Sequence, residues 1–501
     1  MRNVRVVLLV SLFMALTCLL ALPAAQAAPT PPPATMPAVD QPTPAQAFWE
    51  QATSGPAEVE YPPDWFAPIK KPTNWFEWGG DLRLREQYEV NDRSLNKNTP
   101  GHNIHLQRYR TRLFSTLTPV NNDEAGKIDF NVRLTWEFFN FCYPQGVRDT
   151  NFDEVVFDSL NIKWSKILNS NLSATVGRQD ITDLGNGWLI FDGTPLDGSR
   201  TVYFDAVRAT YDMPDAKTKL DLIGVANSAE SQWLPPINDQ DKFLNESDVA
   251  GVIAWLTNKS IDRTELNAFY IFTDDTPQLA TGLDQTLHTF GGRVVHDFDD
   301  HWRARAEVAE QLGHRDFVDV CAGAFNSRLT YFFKDSWNQQ LHLDYEYLSG
   351  DDPSTDTNEG FDILWGRWPQ WSEIAANVWA LEGGRPAAYT NLQRVGGGWV
   401  GEPLPQRCRN THGETCAAYA PLQVSLDYYL LFANENTFAG SQSFSDSGHF
   451  RGQLVTAWLR YRFNEHVSGH LIGEVFFPGD YYSDFRNDVG VFARYELQFQ
   501  W

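Results

Sequence analysis

The final thirteen residues constrain this chain more than any other segment. Val489, Val491, Ala493, Tyr495, Leu497, Phe499 and Trp501 alternate with Gly490, Phe492, Arg494, Glu496, Gln498 and Gln500. Successive side chains of a strand point to opposite faces, so one face is apolar and the other mostly polar. A strand of a soluble sheet has the same pattern. Here the strand ends the chain on an aromatic residue, and the chain opens with an export signal. That combination predicts a transmembrane β-barrel, with lipid outside and water inside.

Arg2 and Arg5 form a basic start, residues 6–22 an apolar stretch, and Ala25-Gln26-Ala27 a small-x-small cleavage site. This is a secretory signal peptide, with the mature chain expected to begin at Ala28. Cys18 follows Thr17, which does not make a lipidation site. Beyond residue 27 no apolar run reaches the roughly 20 residues that a spanning helix needs. The remaining chain either stays soluble beyond the inner membrane or spans as strands. Aromatic content of 14% with four Met suits strands and interfacial girdles.

The formal charge is −24. Without Arg2 and Arg5 the balance is 38 basic against 64 acidic residues, or −26, which argues against nucleic acid as a partner. Four cysteines remain in an oxidising compartment. Cys408 and Cys416 are near enough in sequence to close a small loop and are expected to form a disulfide. Cys142 and Cys321 pair or stay free, which spacing leaves open.

Residues 28–74 are rich in Pro, Ala and Thr and read as an extended periplasmic segment, a tether or a contact for a periplasmic partner. From about residue 75 the chain settles into short alternating segments. Ile128, Phe130, Val132, Leu134, Trp136 and Phe138 opposing Lys127, Asp129, Asn131, Arg133, Thr135 and Glu137 is the cleanest. Including it, eighteen candidate strands follow to residue 501, the weakest at 389–398. An even number places both ends of the barrel in the periplasm. Alternate connections are short, while 228–247 and 350–388 are long, acidic and outside. One long connection, 399–421, falls on the periplasmic side. A soluble β-helix or propeller accounts for neither the loop alternation nor residues 126–138, and no fixed repeat appears.

Strand parity directs a set of charges inward. The basic members are Arg83, Arg85, Arg108, Arg110, Arg112, Lys127, Arg133, Arg293, Arg303, Arg305, Arg328, Arg460, Arg462 and Arg494. The acidic members are Asp81, Glu89, Asp129, Glu137, Glu307, Asp344, Glu346, Glu474 and Glu496. An arginine facing lipid near the midplane costs about 2–4 kcal/mol, so these belong inside. Two readings compete: a ladder of ion pairs that stiffens the wall, or an electropositive path selective for anions.

Several short motifs add a family resemblance. They are Val176-Gly177-Arg178-Gln179 followed by Gly185 and Gly187, and Phe204-Asp205-Ala206-Val207-Arg208. Ser349-Gly350-Asp351, Phe361-Asp362-Ile363-Leu364 and Phe477-Pro478-Gly479 continue the series. In that order they resemble the alginate export porin family, over about residues 76–501. The resemblance implies a monomeric outer-membrane barrel whose arginine-rich lumen passes a polyuronate outward. It further implies a long periplasmic loop that occludes the pore, a part that 399–421 fits by position.

Other chemistry is weakly supported. His412 near Cys408 and Cys416 suggests a metal less than a disulfide, and Ser349-Gly350-Asp351-Asp352 reads as a polar turn more than a calcium loop. His288, His342 and His470 have inward parity, but no Ser–His–carboxylate set emerges, so no enzyme is expected. No cofactor or metal is implied. Trp365, Trp368, Trp371 and Trp379 crowd one outer loop, suited to sugar stacking, anchoring or loop packing. The expected partners are the lipid bilayer with lipopolysaccharide, and an anionic small molecule or polysaccharide. The alternatives are a general or neutral-sugar porin and an adhesive barrel acting through that loop.

Overall fold

The alternation seen in the sequence is realised as one closed antiparallel sheet. The structure is a computed structural model describing residues 67–143, 155–190, 203–230, 246–280, 282–366, 371–383, 389–403, 422–463 and 466–501. The export signal and almost all of the Pro-rich segment lie outside the described residues. So do Cys408, Cys416 and most of 399–421. Cys142 and Cys321 are not joined to each other by a disulfide.

After a short helix, α1 (Ala67–Lys70), come β1 (Phe76–Val90), β2 (Asn103–Asn122), β3 (Gly126–Tyr143) and β4 (Val155–Ser165). Then follow β5 (Leu172–Gln179), β6 (Phe204–Met213), β7 (Thr218–Asn227), β8 (Ser247–Asn258) and β9 (Thr264–Pro277). The next are β10 (Gln285–Asp297), β11 (Trp302–Arg315), β12 (Val318–Phe332), β13 (Gln340–Leu348) and the two-residue β14 (Thr357–Asn358). Helix α2 (Glu373–Gly383) precedes β15 (Leu392–Gly401), β16 (Gln423–Phe432), β17 (Phe450–Arg462), β18 (Val467–Pro478) and β19 (Gly490–Gln500).

Strand β14 lies outside the wall, pairing in parallel with β12 at Asp319 and Val320, while β13 pairs directly with β15. The wall is therefore an eighteen-stranded barrel, and the weakest sequence candidate is a true strand, shifted to Leu392–Gly401. Strands β1 and β19 close it, in register from Asp81–Gln500 to Val90–Val491. Trp501 finishes the seam by exchanging backbone hydrogen bonds with Gly80. Glycine is required there: a Cβ on Gly80 would come within 2.6 Å of the Trp501 ring.

The outward face is apolar, as lipid demands. Leu113, Phe130, Val176, Val207, Val252, Phe290, Leu343, Leu426 and Tyr495 are all exposed on it. His288 belongs there too. Its strand neighbours Leu287 and Thr289 are fully buried, and its ring meets Tyr270 and Phe272. The inward parity assigned to His288 was thus off by one residue, and a one-residue error flips a side chain to the other face. Leu343 sits mid-strand on β13 with 67% exposure. Leu343→Arg is expected to lower folding stability by about 2–4 kcal/mol, measured by urea titration in lipid vesicles. A loss below about 1 kcal/mol would mean that this face is not against the hydrocarbon.

Candidate functional site: an arginine-lined lumen filled from one end

The extracellular half of the barrel holds a hydrophobic core made by residues 180–190 of one infolded connection and 349–366 and 371–383 of another. Glycines steer the first inward: Gly185 and Gly187 adopt φ of 68° and 79°, a region that penalises a side chain. Ile181, Leu184, Trp188 and Leu189 then bury against wall residues such as Ile223, Ile253 and Trp255. Trp188 stacks on Phe361, and the Trp365 amide donates to the Leu189 carbonyl at 3.1 Å, which joins the two connections. Asp362 fastens the second to the wall, accepting from Gln285 at 3.1 Å and Arg315 at 3.3 Å.

Helix α2 docks on the inside of β16–β19. Glu474 of β18 accepts from the Ser372 hydroxyl at 2.7 Å and from the amides of Glu373 and Ile374 at 3.0–3.1 Å, satisfying the open helix start. Arg494 pairs with Glu373 at 2.5 Å. At the far end Arg451, fully buried, pairs with Glu382 between the rings of Trp379 and Tyr481. Trp365 and Trp379 therefore lie inside the barrel, and Trp371 is partly buried against the same core. They are not displayed on an outer loop, as the adhesive reading required; Trp368 lies outside the described residues.

Below this filling the arginines meet carboxylates across the strands. Arg83 pairs with Glu137 at 2.8 Å, and Arg85 with Glu496 at 2.7 Å. Arg108 reaches Glu137 at 2.5 Å, while Arg110 and Arg112 share Asp81 at 3.2 and 2.6 Å. Lys127 pairs with Asp129. On the opposite wall Arg293 pairs with Glu265, Arg303 with Asp297 and Arg328 with Asp344. Arg460 lies over Trp458 and donates to Gln423 at 3.4 Å; Arg462 sits opposite Ser468. Arg133 and Arg494 take partners from the infolded connections, Asp180 and Glu373.

Arg305 stands apart. Its ladder neighbours are Val295 and Arg328, so neither is acidic. The carboxylate of Asp344 one strand beyond is saturated: Arg328 donates twice, and His342 and the Tyr429 hydroxyl once each, at 2.5–3.1 Å. His342 also spans to Asp427 at 3.0 Å. Among the described residues Arg305 has no ion pair, and its Nε has no hydrogen-bond partner.

The first two sequence motifs pair on adjacent strands. Arg178 forks onto Asp205 at 2.8 and 2.9 Å and lies over Tyr203, and the Gln179 amide donates to the Ala206 carbonyl at 3.0 Å. Arg208 pairs with Asp183 and Asp221, each at 2.8 Å. Ser349 accepts from the Gly323 amide, and Asp351 from the Glu359 amide. At Gly350 a Cβ would meet Asn391, and the Gly479 amide, after Pro478, donates to the Arg451 carbonyl. Sequence reasoning missed Arg178, Arg208, Arg394 and Arg451 as lumen residues. Arg394 pairs with Glu346 and lies over Tyr429. Inward parity carried the signal for Arg178, Arg208 and Arg394; Arg451 has the opposite parity to Arg460 and Arg462, and turns inward where the β16–β17 register shifts beside Leu431 and Phe432.

A family model described as alginate export matches residues 74–380, more than half of the chain. No curated protein matches the sequence. Solved barrels of Pseudomonas aeruginosa are similar in fold. The outer membrane protein OpdK has 11% identity and a TM-score of 0.52, over 85% of this chain and 98% of that one. OccK7 (OpdD) has 14% identity and a TM-score of 0.50, over 85% and 99%. OccK2 (OpdF) in complex with glucuronate has 11% identity and a TM-score of 0.50, over 85% and 97%. At such identity the likeness concerns architecture alone.

Proposed function

Because the chain belongs to the alginate export family and forms an outer-membrane channel barrel, we propose that it passes anionic solutes, with uronate-bearing saccharides as the class that fits best. The observation that carries this reading is Arg305, a lumen guanidinium left without a carboxylate beside a saturated Asp344. A cation so placed replaces part of the hydration and counterion shell of a passing carboxylate, and nearby acids keep the stay brief. The thirteen arginines singled out from the sequence form the path, most of them as paired wall charges that shape its field. A glucuronate complex of a barrel with this architecture supports the solute class. Transport is passive. Residues 1–27 act as the export signal and 28–74 as the periplasmic segment of a monomer set in lipid and lipopolysaccharide.

The extent of pairing favours a second reading, a general or neutral-sugar porin with its arginines locked in the wall. Liposome swelling separates the two. The channel is expected to admit glucuronate faster than glucose, and Arg305→Glu should slow glucuronate several-fold while leaving glucose unchanged. Equal rates for both sugars, indifferent to Arg305→Glu, would favour the general porin.

A further inference from the structure

Two carboxylates of the infolded connection sit where a solute's carboxylates would sit. Asp180 accepts from both terminal nitrogens of Arg133, at 2.7 and 3.0 Å. Three residues on, Asp183 accepts from both terminal nitrogens of Arg208 at 2.8 Å, and from Lys219 at 3.3 Å. Such forked contacts are the strongest carboxylate recognition that arginine offers. The two sites flank β5, one on β3 and one on β6–β7.

Each arginine holds two acids of different standing. Its second partner belongs to the wall and is buried: Asp158 for Arg133 and Asp221 for Arg208, at 2% and 0% exposure. The connection's acids are open to lumen water, with 20% of the Asp180 side chain and 36% of the Asp183 side chain exposed. Burial raises the Asp183 carboxyl, but Arg208 and Lys219 outweigh it and hold the group well below the usual carboxylate range. It is therefore an anion wherever a uronate is one. The wall acid fixes each guanidinium, and the exposed acid occupies the face that a dissolved carboxylate would approach.

We propose that Asp180 and Asp183 are built-in competitors for a two-carboxylate ligand, an oligouronate, which binds at Arg133 and at Arg208 with Lys219 by displacing them. The inference rests on the anionic-solute reading above. It adds a site, a ligand valence and a consequence: ligand entry loosens the 180–190 connection from the wall.

The test is calorimetric titration of the full-length protein in detergent with trigalacturonate, using maltotriose as the neutral control. A tethered acid competes at a millimolar or higher effective concentration. Asp180→Asn with Asp183→Asn should therefore tighten trigalacturonate binding about tenfold and leave maltotriose unaffected. Adding Arg208→Gln to that pair should abolish the gain. If the double variant misfolds, Asp183→Asn alone is read in the same way, with a gain of about threefold. Wild-type binding of trigalacturonate that neither variant changes would overturn the competitor role and leave the anionic channel standing. A gain that survives Arg208→Gln would overturn the assigned site. No preference for trigalacturonate over maltotriose in any variant would sink the inference together with the reading beneath it.

Discussion

Arg451→Ala is expected to raise single-channel conductance several-fold and to lower stability by about 3–5 kcal/mol. The side chain is fully buried, paired with Glu382 and held between Trp379 and Tyr481. Removing it strands the Glu382 carboxylate in a low-dielectric interior, which is the expensive way to break a buried pair. Helix α2 then loses its C-terminal ion pair and keeps the Glu474 and Arg494 contacts at its start, with Asn377 donating to Asp92 at 2.6 Å in its middle. Arg451→Ala combined with Glu382→Ala removes both charges and should recover much of the stability but not the closed state. Planar-bilayer recordings and urea titration read the two effects separately. Unchanged conductance in Arg451→Ala would mean that helix α2 does not restrict the path.

Glu496→Ala carries the second large effect. Glu496 on β19 contacts Arg85 at 2.7 Å and Arg83 at 3.8 Å, both on β1 and essentially inaccessible to solvent. Arg83 retains Glu137. The substitution removes one partner of a buried pair, which costs about 3–5 kcal/mol. It does so at the seam that closes the barrel. The expected result is a lower urea midpoint with unchanged slope, and a smaller loss for Glu496→Gln, which can still accept a hydrogen bond. A loss under about 1 kcal/mol would show that water reaches this part of the seam freely.

The wall was legible because lipid outside and charge inside impose a strict two-residue period, clearest in residues 127–138. The weak strand obeys the same period, with Arg394 buried inward and Val395 exposed outward. The filled extracellular half was not legible, because its contacts join segments far apart in sequence. Trp188 against Phe361 and Arg451 against Glu382 leave no local period. A signal did exist. Strands β7, β8 and β9 are apolar on both faces, with Leu222 and Val252 outward and Ile223, Ile253 and Ile271 inward. A barrel strand that faces water inside has no reason for this; one that faces a protein core does.

Parity locates a charge on a face and says nothing of its partner. Pairs such as Arg112 with Asp81 follow once register is known. The partners Asp180, Asp183 and Glu373 come from connections between strands, which strand register does not place. Restriction of the lumen was expected from 399–421, of which 404–421 lie outside the described residues; the filling among the described residues comes from 180–190, 349–366 and 371–383.

The zero-current potential of the refolded protein under a salt gradient tests the central claim most directly, measured for the wild type and for Arg451→Ala. The account predicts anion selectivity in both, with the larger current in Arg451→Ala and the potential shifted toward the cation side by Arg305→Glu. Cation selectivity in both proteins would contradict it and return the arginines to a purely structural role in the wall.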